Sequence, residues 1–248
     1  MSTPPAPNLV DCLTAAEWTP VLVEAQPLSI DTKGNLVIVL DNVLTRDECE
    51  KLIAFSEASA KGYEAALTHV GYGVQQLRPE IRHSDRCILN DTATATTLWH
   101  RIKDHLPATF GNRTLVGINE CLRFLRYGVG HHFSPHYDGC YNRGDGEYSV
   151  LTVQFYLNSI EAGGETGMWI GEGEMHVVPK PGRVLIFQHR VFHSGEPVQA
   201  GIKYAIRSDI MSRPTSTHVE VPTSTLDAST SEEHAAASAE LPSSHVAE

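Results

Sequence analysis

Several absences bound the chain before any motif is considered. Its five cysteines (Cys12, Cys49, Cys87, Cys121, Cys140) are odd in number, scattered, and form no Cys-x-x-Cys pair. That argues against a disulfide framework or a thiolate zinc site and fits a reducing compartment. No basic segment leads into an apolar run near the start, so no secretory leader is expected, and no stretch reaches the roughly 20 apolar residues of a membrane span. The expected location is intracellular, cytoplasmic or nuclear. Lysine and arginine are absent from residues 1–29 and 214–248, which hold nine of the 30 acids and leave 21 acids against 19 bases between them. Nine of the eleven net negative charges therefore belong to the two ends. The nearly neutral middle lacks the basic footprint that nucleic-acid binding draws on, apart from a local strip at Arg78, Arg82 and Arg86. There is no internal repeat, and no P-loop lysine follows the glycine-rich segments.

What is present fits one domain. A chain of 248 residues can bury roughly 70% of its unfolded surface. Residues 1–29, rich in Pro and Ala, are expected to form a flexible arm with a short helix near Ala15–Trp18. Residues 30–213 form the expected catalytic domain. Residues 214–248 are Ser, Thr, Ala and Glu with few large apolar side chains, too little to offset ordering entropy, and read as a disordered acidic tail. Within the middle, Leu36–Leu40 reads as a strand. Thr45 with Glu48 has the capping-box pattern and opens a helix to about Ser59. A second helix is expected from Thr92 to Leu106, with Pro107 stopping it. From Leu115 the texture changes to short β-rich runs: Leu115–Tyr127, Ser149–Leu157, Met175–Val178, Val184–Gln188 and Lys203–Met211. Leu151, Val153, Phe155 and Leu157 alternate with their neighbours at the period of two that a half-buried strand requires. Helices followed by strands give an α+β class: a jelly-roll core backed by N-terminal helices.

The candidate chemistry is concentrated in Arg126–Asp138, which ends His136-Tyr137-Asp138, with His193 55 residues after Asp138 and Lys203 ten residues later. On a strand, His136 and Asp138 point to one face. Two imidazoles and one carboxylate facing a metal form the facial triad of non-heme Fe(II) oxygenases, which leaves positions open for a bidentate co-substrate and dioxygen. A cation just past the last ligand suits the far carboxylate of a dicarboxylic co-substrate. His131, His132 and His189 read as loop or structural histidines.

From about Leu36 to Met211 the chain resembles the catalytic domain of prolyl 4-hydroxylase-type Fe(II)/2-oxoglutarate dioxygenases. The matching residues are Tyr127-Gly128-Val129-Gly130, Pro135-His136-Tyr137-Asp138, Tyr156-Leu157, Gly163-Gly164-Glu165-Thr166, Pro181-Gly182, His193, Lys203-Tyr204 and Arg207-Ser208-Asp209. The resemblance implies a double-stranded β-helix, cupin-like fold, with His136, Asp138 and His193 as metal ligands. It implies Lys203, Tyr127 and Thr166 as contacts of the 2-oxoglutarate 5-carboxylate; Arg207, on the same strand face, is a rival clamp or a partner of Asp209. The implied cofactors are Fe(II), 2-oxoglutarate and dioxygen, with ascorbate as reductant. The implied reaction is hydroxylation of an unactivated C–H bond, yielding succinate and carbon dioxide. The partner expected is a protein or peptide side chain, proline foremost, or a free amino acid or other small molecule; a non-catalytic metal-binding jelly roll is the reading from another class. Neither nucleic acid nor membrane is expected as a partner. Glu80-Ile81-Arg82-His83-Ser84 echoes the Arg-x-Ser of the family's substrate loop, but Asp85-Arg86-Cys87, Phe133 and Asp209 depart from the peptidyl prolyl hydroxylase pattern. Arg82, Arg86, Arg123 and Tyr141 are the substrate-side candidates.

Overall fold

A computed structural model describes residues 8–14, 19–22, 35–69, 71 and 74–215. The helix expected near Ala15–Trp18, and the tail from residue 216 onward, lie outside the described residues. The main elements are β1 (Val37–Asp41), α1 (Arg46–Glu57), β2 (Asp85–Asn90), α2 (Thr92–Ile102), β3 (Arg113–Ile118), β4 (Cys121–Tyr127) and β5 (His132–His136). They continue with β6 (Tyr148–Tyr156), β7 (Thr166–Ile170), β8 (Gly173–Val177), β9 (Val184–Gln188), β10 (Phe192–Gly195) and β11 (Lys203–Pro214).

Two antiparallel sheets dominate. The larger runs β1-β9-β6-β11-β4-β2, with β3 pairing the far end of β11. The smaller runs β8-β7-β10-β5 and ends on the two-residue strand Arg82–His83. This β-rich architecture with two α-helices is the jelly-roll arrangement. β9 is buried along its whole length, as its uninterrupted Val-Leu-Ile-Phe run requires of a strand covered on both faces. The run read as one strand over Leu115–Tyr127 is two, because Asn119 breaks it: its side chain accepts from the Cys121 amide (3.0 Å), and its own amide bonds Asp209 O (2.8 Å).

Both helices begin at side-chain caps. Thr45 Oγ1 accepts from the Glu48 amide and the Glu48 carboxylate accepts from the Thr45 amide; the Asp91 carboxylate accepts from the Thr94 amide at 2.7 Å. These caps satisfy amides that no helical carbonyl reaches. Glu48 also receives two 2.8 Å hydrogen bonds from Arg101, joining α1 to α2 in a buried pair. The α-helical turn ends at Ile102 rather than Leu106, and Lys103–His105 tightens to a 3-10 turn. Leu52, Leu98 and Ile102 share one buried cluster with Leu122, Phe124, Val153, Phe155 and Ile206. Leu9 and Cys12, on a 3-10 turn at Leu9–Cys12, are buried in that cluster as well.

The period of two along β4, β6 and β11 positions the site. Leu122, Phe124, Val153, Phe155, Ile206 and Ile210 lie on the face buried in this cluster. Their neighbours Arg123, Tyr127, Thr152, Gln154, Lys203, Arg207 and Asp209 fall on the opposite face and line a cavity of about 780 Å³. Cross-strand register sets their order: Tyr127 is opposite Lys203, Arg123 opposite Arg207, Gln154 opposite Arg207 and Thr152 opposite Asp209.

Candidate metal centre

His136 ends β5 directly opposite His193 of β10. Asp138 lies just beyond the strand, its amide bonded to His189 O at 3.0 Å. Tyr137 between them is 64% exposed, so the pleat continues past the end of the ladder and both His136 and Asp138 turn inward. The potential ligand atoms of His136, Asp138 and His193 all lie within 4.8 Å of one another. His136 Nε2 is 3.8 Å from Asp138 Oδ1, and His193 Nε2 is 3.6 Å from Asp138 Oδ2.

The tautomers follow from the backbone. His136 Nδ1 lies 2.8 Å from Ser134 O and His193 Nδ1 2.9 Å from Val191 O. A carbonyl only accepts, so each Nδ1 donates and each neutral ring keeps its Nε2 lone pair. Burial pushes the His136 imidazole down to about 4, with His193 adding to the shift, and burial lowers His193 as well. Burial would raise the Asp138 carboxyl, but the Arg207 guanidinium foremost holds it far below the usual carboxylate range. At neutral pH the cluster therefore offers two imidazole lone pairs and one carboxylate, a donor set that fits a divalent first-row metal such as iron.

Asp138 is fixed from two further directions. Arg207 Nη2 lies 3.1 Å from Asp138 Oδ1 and equally 3.1 Å from Asp209 Oδ1. Thr152 Oγ1 donates to Asp138 Oδ2. It in turn lies 3.0 Å from His189 Nδ1, and His189 Nε2 lies 2.9 Å from Ser149 Oγ, which accepts from the Tyr141 amide. A chain of hydrogen bonds thus runs from the Tyr141 loop to the carboxylate. Thr152 was not among the residues singled out from sequence, and His189 was read as structural. The sequence holds no spacing signal for either, since Thr152 meets Asp138 only where the two sheets face each other.

Lys203 sits in the same cavity, 3% exposed. Its Nζ donates to Gly164 O at 2.7 Å and lies 5.2 Å from the Tyr127 ring centre and 5.6 Å from that of Tyr156. Among the described residues no carboxylate comes within ion-pair distance of it. Burial pulls its ammonium down to about 8, against the opposing pull of Glu165 and Glu196. The Gly164 carbonyl reaches it because Gly163 and Gly164 both turn at φ near +70°. A Cβ on Gly163 would lie 2.3 Å from Pro197 O, so the turn admits only glycine. Thr166 is buried beside Lys203 in the cavity wall, hydrogen-bonded to the Tyr156 hydroxyl at 2.7 Å, with the Gln154 amide donating to it at 3.3 Å. Tyr127 is buried and lines the same cavity. The structure therefore gathers His136, Asp138, His193, Lys203, Tyr127, Thr166 and Arg207 into one cavity. Arg82, Arg86, Arg123 and Tyr141 line it too. Arg207 stands apart from Lys203 in being paired with carboxylates of the protein itself.

Residues 122–208 match the 2OG-Fe(II) oxygenase superfamily. Prolyl 4-hydroxylase subunit alpha-3 of Mus musculus is 32% identical over 150 residues, 54% of this chain and 27% of that protein. The chain thus spans well under half the length of this curated relative. Among solved structures, the viral collagen prolyl hydroxylase of Paramecium Bursaria Chlorella virus-1, solved with 2OG, aligns with a TM-score of 0.52 at 20% identity. That alignment covers 73% of this chain and 98% of the viral one. The Trichoplax adhaerens prolyl hydroxylase, solved with a hypoxia inducible factor peptide fragment, aligns at 0.54 and 18% identity over 70% and 82% of the two chains. Residues 122–208 are thus similar in sequence to the 2OG-Fe(II) oxygenase superfamily, and the fold is shared with prolyl hydroxylases of solved structure.

Proposed function

We propose that the protein is an Fe(II)- and 2-oxoglutarate-dependent dioxygenase that hydroxylates an unactivated C–H bond, foremost on a protein side chain such as proline. The observation that carries this reading is one cavity holding both a donor set of two neutral imidazoles and a carboxylate, and a buried lysine that no carboxylate among the described residues pairs with. Iron with 2-oxoglutarate and dioxygen supplies the chemistry: R–H, 2-oxoglutarate and O2 become R–OH, succinate and CO2.

The chain's own residues bind and orient. His136 Nε2, His193 Nε2 and an Asp138 oxygen hold the metal; the Nδ1 bonds to Ser134 O and Val191 O fix both ring planes before it arrives. Lys203 receives the 5-carboxylate of 2-oxoglutarate, which supplies the anionic partner that a buried ammonium otherwise lacks. The hydroxyls of Tyr127 and Thr166 complete that end. Arg207, already shared between Asp138 and Asp209, orients the carboxylate ligand instead of clamping the co-substrate. α1 and α2 back the larger sheet on the face away from the site, through Leu52, Leu98 and Ile102. Ascorbate serves as reductant, and the domain extends over residues 30–213 between an N-terminal arm and an acidic tail. No helix among the described residues is long and apolar enough to cross a membrane.

Anaerobic titration with Fe(II) and 2-oxoglutarate tests this. A visible metal-to-ligand charge-transfer band is expected, lost in His136→Ala and weakened in Lys203→Ala, with 2-oxoglutarate consumed when proline-containing peptides and air are added. Absence of the band in the unaltered protein would sink the oxygenase reading and favour a metal-binding module.

A further inference from the structure

We propose that the substrate presents a carboxylate to this cavity and that Arg82 receives it. The inference rests on the oxygenase reading above and names a substrate class for it. Although the chain carries a net charge of -11, the cavity wall gathers Arg82, Arg86, Arg123, Lys203 and Arg207 against Asp138 and Asp209. A divalent metal and a dicarboxylate co-substrate cancel each other's charge, so that surplus survives loading.

Taken one at a time, four of the five cations have work. Arg207 is shared by Asp138 and Asp209, and Arg123 reaches Asp209 at 3.4 Å. Arg86 reaches Glu64 at 3.3 Å, and Lys203 is assigned to the co-substrate. Arg82 is the one left over. Its Nε donates to Ser84 Oγ at 3.3 Å, and among the described residues no carboxylate comes within ion-pair distance of it. Its guanidinium carbon sits 4.7 Å above the Phe133 ring centre, and that ring stacks on His136 with centroids 3.6 Å apart. One aromatic ring therefore separates Arg82 from a metal ligand. Register holds it there, since Arg82 pairs with Phe133 at the edge of the smaller sheet. Burial pulls its guanidinium below the ordinary value, the cost of a cation without a partner. The planar fork of an arginine matches a carboxylate in two parallel hydrogen bonds, whereas a neutral peptide carbonyl uses only part of it. The carboxylate belongs either to a free amino acid or to an acidic side chain beside the target residue of a peptide.

The test uses the whole chain loaded with Fe(II) and 2-oxoglutarate without oxygen, titrated calorimetrically. One arm compares free L-amino acids with their amides. The other compares blocked proline peptides carrying Glu on either side of proline with the same peptides carrying Gln. The acid is expected to bind about 10- to 100-fold more tightly than its amide in one arm, the range for a hydrogen bond to a charged group. That preference should vanish in Arg82→Gln and partly survive in Arg82→Lys, with the charge-transfer band intact in all three proteins. Which arm shows the preference identifies the source of the carboxylate. Equal binding of acid and amide, no binding of any acid, or a preference that persists in Arg82→Gln would overturn the proposal while leaving the band, and hence the oxygenase reading, in place. Weakened 2-oxoglutarate binding in Arg82→Gln would assign Arg82 to the co-substrate and overturn it too. Loss of the band in the unaltered protein would instead remove the reading beneath it.

Discussion

The two ends of the cavity floor are built from the same strand and carry the same formal charge, yet they are satisfied in opposite ways. At one end Lys203 has a backbone carbonyl, two aromatic rings and, among the described residues, no carboxylate within ion-pair distance, and burial draws its ammonium down to about 8. At the other, four residues along β11, burial would lower the Arg207 guanidinium, but Asp138 and Asp209 raise it above its ordinary value. In the proposed assignment the first end takes its anion from outside, whereas the second is paired within the protein. An unpaired buried cation is costly, so a ligand carboxylate would relieve the first end and is not needed at the second.

The contrast breaks most completely if the metal cluster beside it is removed. His193→Ala deletes one of three donors, and Fe(II) binding and turnover should fall by more than the about 10- to 100-fold that loss of a ligand's supporting partner costs. Calorimetric Fe(II) titration checks this, and near-normal affinity would mean the cluster is not the metal site.

Arg207→Gln should act on folding. It leaves the partly buried Asp138 without its arginine and the buried Asp209 with Arg123 alone, a loss of at most about 3–5 kcal/mol in the metal-free protein. Urea unfolding measures it. Affinity for 2-oxoglutarate should change less than in the lysine variant below; if it changes more, Arg207 is the clamp and the two ends have exchanged roles.

Lys203→Met should show the reverse pattern. The metal-free protein keeps or gains stability, because an unpaired buried ammonium is replaced by an apolar chain of similar size. Binding of 2-oxoglutarate drops by about 2–5 kcal/mol, the cost of truncating one side of a buried charge pair. The pH dependence has a fixed sign. The folded protein gives up the Lys203 proton near pH 8 and the unfolded chain near 10.5. Between those values the unfolded chain holds more protons, so the ligand-free protein gains stability as pH rises through that window. The co-substrate needs the charged form, so its affinity falls above about pH 8. Both trends should be absent from Lys203→Met.

How much of this was written in the sequence depends on the range of the interaction. The Thr45–Glu48 cap and the apolar run Val184–Gln188 are local, and both were readable. So was the convergence of His136, Asp138 and His193, since the first two share a strand face and the third follows a strand of the right kind. The hairpin of β7 and β8 was only half visible, because Thr166–Ile170 is interrupted by Gly167 and shows no clear alternation. The early end of α2 was hidden by helix-compatible residues continuing to Leu106. Least legible were the partners that the facing of the two sheets creates. Arg207 on β11 of the larger sheet meets Asp138 just beyond β5 of the smaller one, and neither residue's neighbours announce the other. The same holds for Thr152, whose one-residue neighbours Leu151 and Val153 advertised only the buried core.

That threonine supplies the smallest and sharpest test of the distinction between binding and positioning. Thr152 is buried, touches no ligand in the proposed assignment, and donates to Asp138 Oδ2 while its oxygen faces His189 Nδ1. Thr152→Val keeps the shape and removes the hydroxyl, leaving Asp138 oriented by Arg207 alone and the His189 nitrogen without its partner. Fe(II) affinity should fall by about 10- to 100-fold, and 2-oxoglutarate affinity of the metal-loaded protein should stay close to that of the unaltered chain. Thr152→Ser, which restores the hydroxyl and removes only a methyl, should recover most of the metal affinity. A serine variant as weak as the valine one would mean that packing, not the hydrogen bond, holds the carboxylate in place. Unchanged metal affinity in the valine variant would leave Arg207 as the residue that positions Asp138.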